Sequence, residues 1–139
     1  MNSAAPNTDR EYAYLSITGY GDHKEISQAL ELEPSRAWNI GEDRPRGGKY
    51  TCTKWRLDSG LKDTESMDKH IDALLVGLES RREALRKLYP DWTASIQCVG
   101  YYPSSQHGHH LSKENIQTAA HLGLEFDFDL YFVGEDEHG

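Results

Sequence analysis

Two cysteines in 139 residues, Cys52 and Cys98, are too few for a disulfide framework. No apolar run approaches the ~18–20 residues that cross a bilayer as a helix. The opening segment, MNSAAPNTDR, has neither the basic nor the apolar block of a secretory signal, so a cytoplasmic protein is expected. Positive charge is short: 15 Lys and Arg stand against 23 Asp and Glu, a formal net charge of −8. That balance opposes nucleic-acid and anionic-membrane partners, which need a positive field. No repeat of solenoid length occurs. What remains is enough for one ordinary core, since 37% of the residues are hydrophobic. The expected organisation is a disordered segment over 1–10, a single globular domain over 11–133, and an acidic tail over 134–139.

Periodicity supplies the elements. Residues 12–18 alternate as a strand, with Ala13, Leu15 and Ile17 on one side and Tyr12, Tyr14, Ser16 and Thr18 on the other. Asp22, followed by Glu25, reads as a helix start, and the short helix turns Ile26, Ala29 and Leu30 inward. Pro34 marks its end. A short strand over 36–40, a mobile loop over 41–48 and a strand over 50–57 follow. Met67, Ile71, Leu74, Leu75, Leu78, Leu85 and Leu88 recur at helical steps, which predicts one long helix over 63–89, ended by Pro90. Residues 92–101 read as a strand. Ser112 caps a helix over 113–122, and Gly123 stops it. In the last strand, 124–133, Leu124, Phe126, Phe128, Leu130 and Phe132 alternate with Glu125, Asp127, Asp129 and Tyr131. The phenylalanines should be hidden and the aspartates wet.

The order β-α-β-β-α-β-α-β predicts an α+β fold. A single-layer, mostly antiparallel sheet carries helices on one face, with a ferredoxin-like β-α-β-β-α-β core and a C-terminal α-β extension.

Several segments together resemble a small bacterial family catalogued as domain of unknown function 4279. They are YAYLSITG, LELEPSRAWNIGEDRPR, the WRLDSG of 55–60, the helix MDKHIDALLVGLESRREALRKL and GLEFDFDLYF. The resemblance spans residues 12–132. It implies one intact domain, a bacterial source and an intracellular setting, and it brings no catalytic residues.

Four constellations carry chemistry. Within 36–56, Arg36, Arg44, Arg46, Lys49, Lys54 and Arg56 face only Glu42 and Asp43. Arginine forks recognise carboxylate and phosphate, and Trp38 and Trp55 could stack. Arg36, Trp38, Arg44, Arg46, Trp55 and Arg56 are therefore candidates for a small anionic ligand. The alternative is that the arginines pair with the protein's own carboxylates and the tryptophans lie in the core. The glycines of this segment are no phosphate loop, because Lys49 is followed by Tyr50 rather than Ser or Thr. The ladder Glu125, Asp127, Asp129 reads as a polar sheet face answering Lys54 and Arg56. His107, His109 and His110 read as a solvated loop, so no metal and no cofactor are expected. Cys52 and Cys98 fall on opposite faces, and neither has a partner that would make it a nucleophile.

No catalytic set emerges. The sequence points to a non-enzymatic protein-binding or regulatory domain, with an immunity-type protein as one concrete form. Its partner is another protein or its own copy, met through Tyr12, Tyr14, Tyr101, Asp127, Asp129 and Tyr131. The alternative is small-anion binding or an enzymatic site in segment 36–56.

Overall fold

The computed structural model describes residues 8–104 and 107–133 of the chain. Two-residue alternation builds β1 (Arg10–Gly19). Glu11, Ala13, Leu15 and Ile17 turn inward and are buried, while Tyr12 and Tyr14 face out half-covered. Asp22 caps α1 (His23–Leu30) by accepting from the Lys24 N–H at 3.0 Å. The strands β2 (Arg36–Trp38) and β3 (Thr53–Asp58) follow. Then come α2 (Met67–Glu79), α3 (Arg82–Leu88), β4 (Thr93–Tyr102), α4 (Lys113–His121) and β5 (Glu125–Phe132). Ser112 caps α4 by accepting from the Asn115 N–H, and Gly123 leaves it at φ 73°.

The five strands form one sheet in the order β2-β3-β1-β4-β5. β3 separates β1 from β2, and β1 separates β3 from β4, so both βαβ units are split as in ferredoxin-like folds. Among neighbouring strands of the described residues only β4 and β5 pair in parallel, joined by the α4 crossover. Ile26 and Leu30 of α1, Leu74 and Leu78 of α2, Leu85 of α3 and Ala119 of α4 share one core with the inward strand residues. All four helices thus cover one sheet face and leave the other open. The α+β architecture is the one the element order predicts.

Four details differ from expectation. The helical run over 63–89 is two helices, broken at Ser80 and Arg81, where Arg81 sits at φ −112°, ψ 18°. Its Nε donates to the Leu30 carbonyl at 2.7 Å, which ties the bend to the end of α1. Leu78 and Leu85 are seven residues apart, so the break keeps both in the core and leaves no mark in the periodicity. The segment expected to be disordered over 1–10 is already strand at Arg10, because β1 pairs with β4 from that residue onward. The rest of that expectation, 1–7, and the tail 134–139 lie outside the described residues. The loop over 41–48 is a hydrogen-bonded excursion. Gly41 N–H and Tyr50 N–H donate to Tyr50 and Glu42 carbonyls at 2.9 Å, and Asp43 pairs with Lys49. Finally, β5 keeps Asp127 and Asp129 wet, but it is an edge strand. Phe126 is half-buried, while Phe128 and Phe132 remain 43% and 46% exposed.

Candidate functional site

The open sheet face carries a layer of rings and cations across all five strands. Tyr101 and Tyr131 stack with ring centres 4.9 Å apart, and Tyr12 lies 6.3 Å from Tyr14. The guanidinium carbon of Arg10 stands 4.9 Å from the Tyr101 ring centre, and that of Arg56 stands 3.7 Å from the Tyr14 ring centre. Lys54 Nζ lies between Tyr14 and Trp38, at 5.4 and 5.8 Å. Burial, then the neighbouring charges of Arg56 and Arg36, hold the Lys54 ammonium below its usual pKa. Burial raises the Tyr12 phenol. Charge is graded along the face. Arg36, Lys54 and Arg56 occupy the β2–β3 end, and Glu125, Asp127 and Asp129 occupy β5. Of the expected interaction residues, Tyr12, Tyr14, Tyr101, Asp127, Asp129 and Tyr131 all lie on this one face.

The acidic ladder does not answer Lys54 and Arg56, because β1 and β4 stand between them. Asp127 instead accepts from Gln97 Nε2 at 2.7 Å, and Asp129 from the Tyr131 hydroxyl at 2.8 Å. That last bond raises the Tyr131 phenol pKa.

At the cationic end, Trp38 stacks on Tyr50 with ring centres 4.3 Å apart and planes 16° apart. Arg36 lies 5.5 Å from the Trp38 centre and Arg44 5.8 Å from the Tyr50 centre. With Arg46 and Cys52 they wall a cavity of ≈420 Å³. Arg36, Arg44 and Arg46 form no ion pair among the described residues. Two of the six expected ligand residues are not on this wall. Arg56 donates through Nε to Asp58 at 2.7 Å. Trp55 is a correction: strand alternation puts it on the opposite sheet face from Trp38. There it is completely buried and donates its indole N–H to Ser27 Oγ at 3.0 Å. Tyr50, read from sequence as a strand residue, was missed as the stacking partner.

On the helix side, Glu11 gathers a second group. Its Oε1 accepts from the Met67 N–H at 2.8 Å, capping α2 where Ser66 makes no side-chain cap. Its Oε2 accepts from the Tyr102 hydroxyl at 2.7 Å. His109 Nε2 lies 3.0 Å from that hydroxyl, and the His107 ring stacks on Tyr102 at 3.8 Å between centres. His107 Nε2 lies 3.4 Å from Asp9 and 3.8 Å from Glu11. Burial, reinforced by the bond to Glu11, drives the Tyr102 phenol far above its usual range. Burial also lowers the pKa of His109. His107 and His109 are therefore docked and half-buried rather than solvated, while His110 is exposed as expected. Neither Glu11 nor Tyr102 was singled out from sequence. The signal was present: Glu11 shares the inward phase of Ala13, Leu15 and Ile17, and a carboxylate in that phase needs partners.

The remaining candidates are separate. Cys98 is buried, with its thiol pushed up to about 12 by burial, and Cys52 is half-exposed outside the sheet. His70 is fully buried on α2, with Nδ1 2.6 Å from Ser59 Oγ.

Fold and site together define a class: a ferredoxin-like α+β domain with one helix-covered face and one open, ring-and-cation face. The chain belongs to the family described as Domain of unknown function (DUF4279), whose sequence model matches residues 9–133. None of the curated proteins and none of the solved structures matches it. Among the described residues, no helix is long and apolar enough to cross a membrane.

Proposed function

We propose that this domain is a non-enzymatic, cytoplasmic recognition or regulatory module of the immunity type, whose protein partner seats on the open sheet face. The supporting observation is the uncovered layer formed by Trp38, Lys54, Arg56, Tyr14, Tyr12, Tyr101 and Tyr131, while all four helices pack behind it. Rigid rings and arginines give large contact area at low entropic cost, which suits protein interfaces. The graded charge orients the partner, with cations meeting the β5 aspartates and anions the β2–β3 end. Affinity capture from the native host tests this. A partner held by the wild type is lost on Tyr12→Ala with Tyr131→Ala and retained by Glu79→Ala on α2. Equal retention by all three overturns the reading. Light scattering distinguishes a foreign partner from a second copy.

A second reading is favoured by the three arginines of the Trp38–Tyr50 cavity, which make no ion pair among the described residues: a small anion, phosphate or carboxylate, held at that end of the face. An anionic metabolite series should then raise the melting temperature of the wild type, and Arg44→Ala with Arg46→Ala should abolish the shift. A wild type that melts unchanged throughout removes this reading.

A further inference from the structure

We propose that Glu11, His107 and His109 form a binding site for one divalent transition-metal ion of the zinc type, completed by Asp9. One ligand atom from each of Glu11, His107 and His109 falls within 4.8 Å of the other two. Asp9 Oδ2 adds a second carboxylate oxygen 3.4 Å from His107 Nε2. Zinc bonds of about 2.0–2.2 Å to nitrogen and oxygen, in a tetrahedron, separate ligand atoms by about 3.2–3.6 Å. Closing on an ion therefore draws the Glu11, His107 and His109 ligand atoms together by up to about 1.6 Å. Two imidazoles with carboxylate oxygens suit a borderline cation such as zinc better than magnesium or calcium, which prefer oxygen alone.

The surroundings favour an ion. Glu11 is buried and held by the Met67 N–H and the Tyr102 O–H, the kind of outer-shell support that orients a ligating carboxylate. The nearest guanidinium along the chain, Arg10, points to the opposite face of β1, over Tyr101. Among the described residues, Asp9 and Glu11 make no ion pair with a lysine or arginine and face the imidazole of His107. Among the described residues, the buried His107 Nδ1 has no hydrogen-bond partner. The His107 and His109 ring centres stand 5.2 Å apart, so both imidazoles reach the same space beside Glu11. A cavity of ≈260 Å³ beside Ser66, Asp68 and His110 gives an ion a route in. The aromatic rings of Tyr102, Phe128 and Phe132 wall the inner side.

The consequence is mechanical. The ligands come from the start of β1 and from the loop between β4 and α4. An ion there clips the C-terminal α4–β5 extension to β1 and to the N-terminus of α2. It lies on the helix-covered face, apart from the recognition face, so it stands or falls independently of the proposed function.

The test is calorimetric titration of the full, tag-free, chelator-treated chain with zinc chloride, alongside visible absorption with cobalt(II). The expected result is one saturable site per chain, a raised melting temperature and cobalt d–d bands from mixed nitrogen and oxygen ligands. His107→Ala and His109→Ala should each weaken zinc by more than about 100-fold, beyond the ~10–100-fold typical of outer-shell losses. Tyr102→Phe should fall within that smaller span, and His121→Ala should bind as the wild type does. Circular dichroism of the metal-free variants separates lost ligands from lost folding, and Glu11→Gln supplies a near-isosteric check. Absence of saturable one-to-one binding overturns the proposal, as does unchanged affinity in folded His107→Ala and His109→Ala.

Discussion

Arg56 pairs with Ser16 in the β1–β3 register, yet its guanidinium lies 3.7 Å from the ring centre of Tyr14, whose own register partner is Asp58. Its Nε donates to Asp58 at the same time. One side chain thus spans a diagonal of the open face and fixes ring, carboxylate and cation together. It also places a fixed positive charge beside Lys54, with consequences for that amine.

Lys54 should react with amine-directed reagents at mildly alkaline pH faster than the exposed Lys49 and Lys69, because burial and then Arg56 lower its pKa below 10.5. Arg56→Gln should slow it by removing the second cause. The unfolded chain binds the Lys54 proton more tightly than the folded one. Stability from this group therefore rises with pH between the folded and unfolded values, and Lys54→Met should flatten that rise in denaturation measured across alkaline pH.

The two tryptophans near the sheet edge should differ sharply. Trp55→Ala empties a fully buried site and should cost about 3–5 kcal/mol in chemical denaturation. Trp38→Ala removes a surface stack on Tyr50 and should cost about 0.5–1.5 kcal/mol.

Gly100 and Tyr102 project to the same side of β4, and a Cβ at Gly100 would run into the Tyr102 ring. Gly100→Ala should destabilise the domain by about 1–3 kcal/mol. In a crystal structure of the variant, the Tyr102 hydroxyl should be displaced from Glu11.

The Asp22 carboxyl is held below its ordinary value of 3.8, first by the Lys24 N–H and then by Asn39. Its contribution is present above the unfolded value and lost as pH falls through the folded one. Carbon-detected NMR titration should place Asp22 below the exposed aspartates. Asp22→Asn, which keeps a capping oxygen, should leave stability at neutral pH nearly unchanged and flatten this part of the acid limb.

Cys52 should be the thiol that labels in the native state. Cys98, buried and pushed up to about 12, should label only on unfolding. Mass spectrometry after alkylation with and without denaturant reads both.

Much of the fold was legible. The caps at Asp22 and Ser112, the stop at Gly123 and the alternation of β1 and β4 are local, and the sequence patterns for them hold. The bend at Arg81 was not legible, because the heptad spacing of Leu78 and Leu85 reads the same for a straight rod as for two helices in phase. For the open sheet face, alternation put Tyr12, Tyr14, Tyr101, Asp127, Asp129 and Tyr131 on one side. It could not say that Trp38 would find Tyr50, because residues 39–49 between them follow no clear period.

By itself the sequence determined which side of its own element each residue occupies, since pleat and helical pitch are local geometry. It determined the family as well. Only the tertiary structure decided which elements became neighbours. It put β5 at an edge, where Phe128 and Phe132 lack full cover. It separated the β5 carboxylates from Lys54 and Arg56 by two strands. It brought Glu11 from the first strand against His107 and His109 from the loop after the fourth. Strand order comes from the competition of non-local pairings for one core, and no local period encodes its outcome.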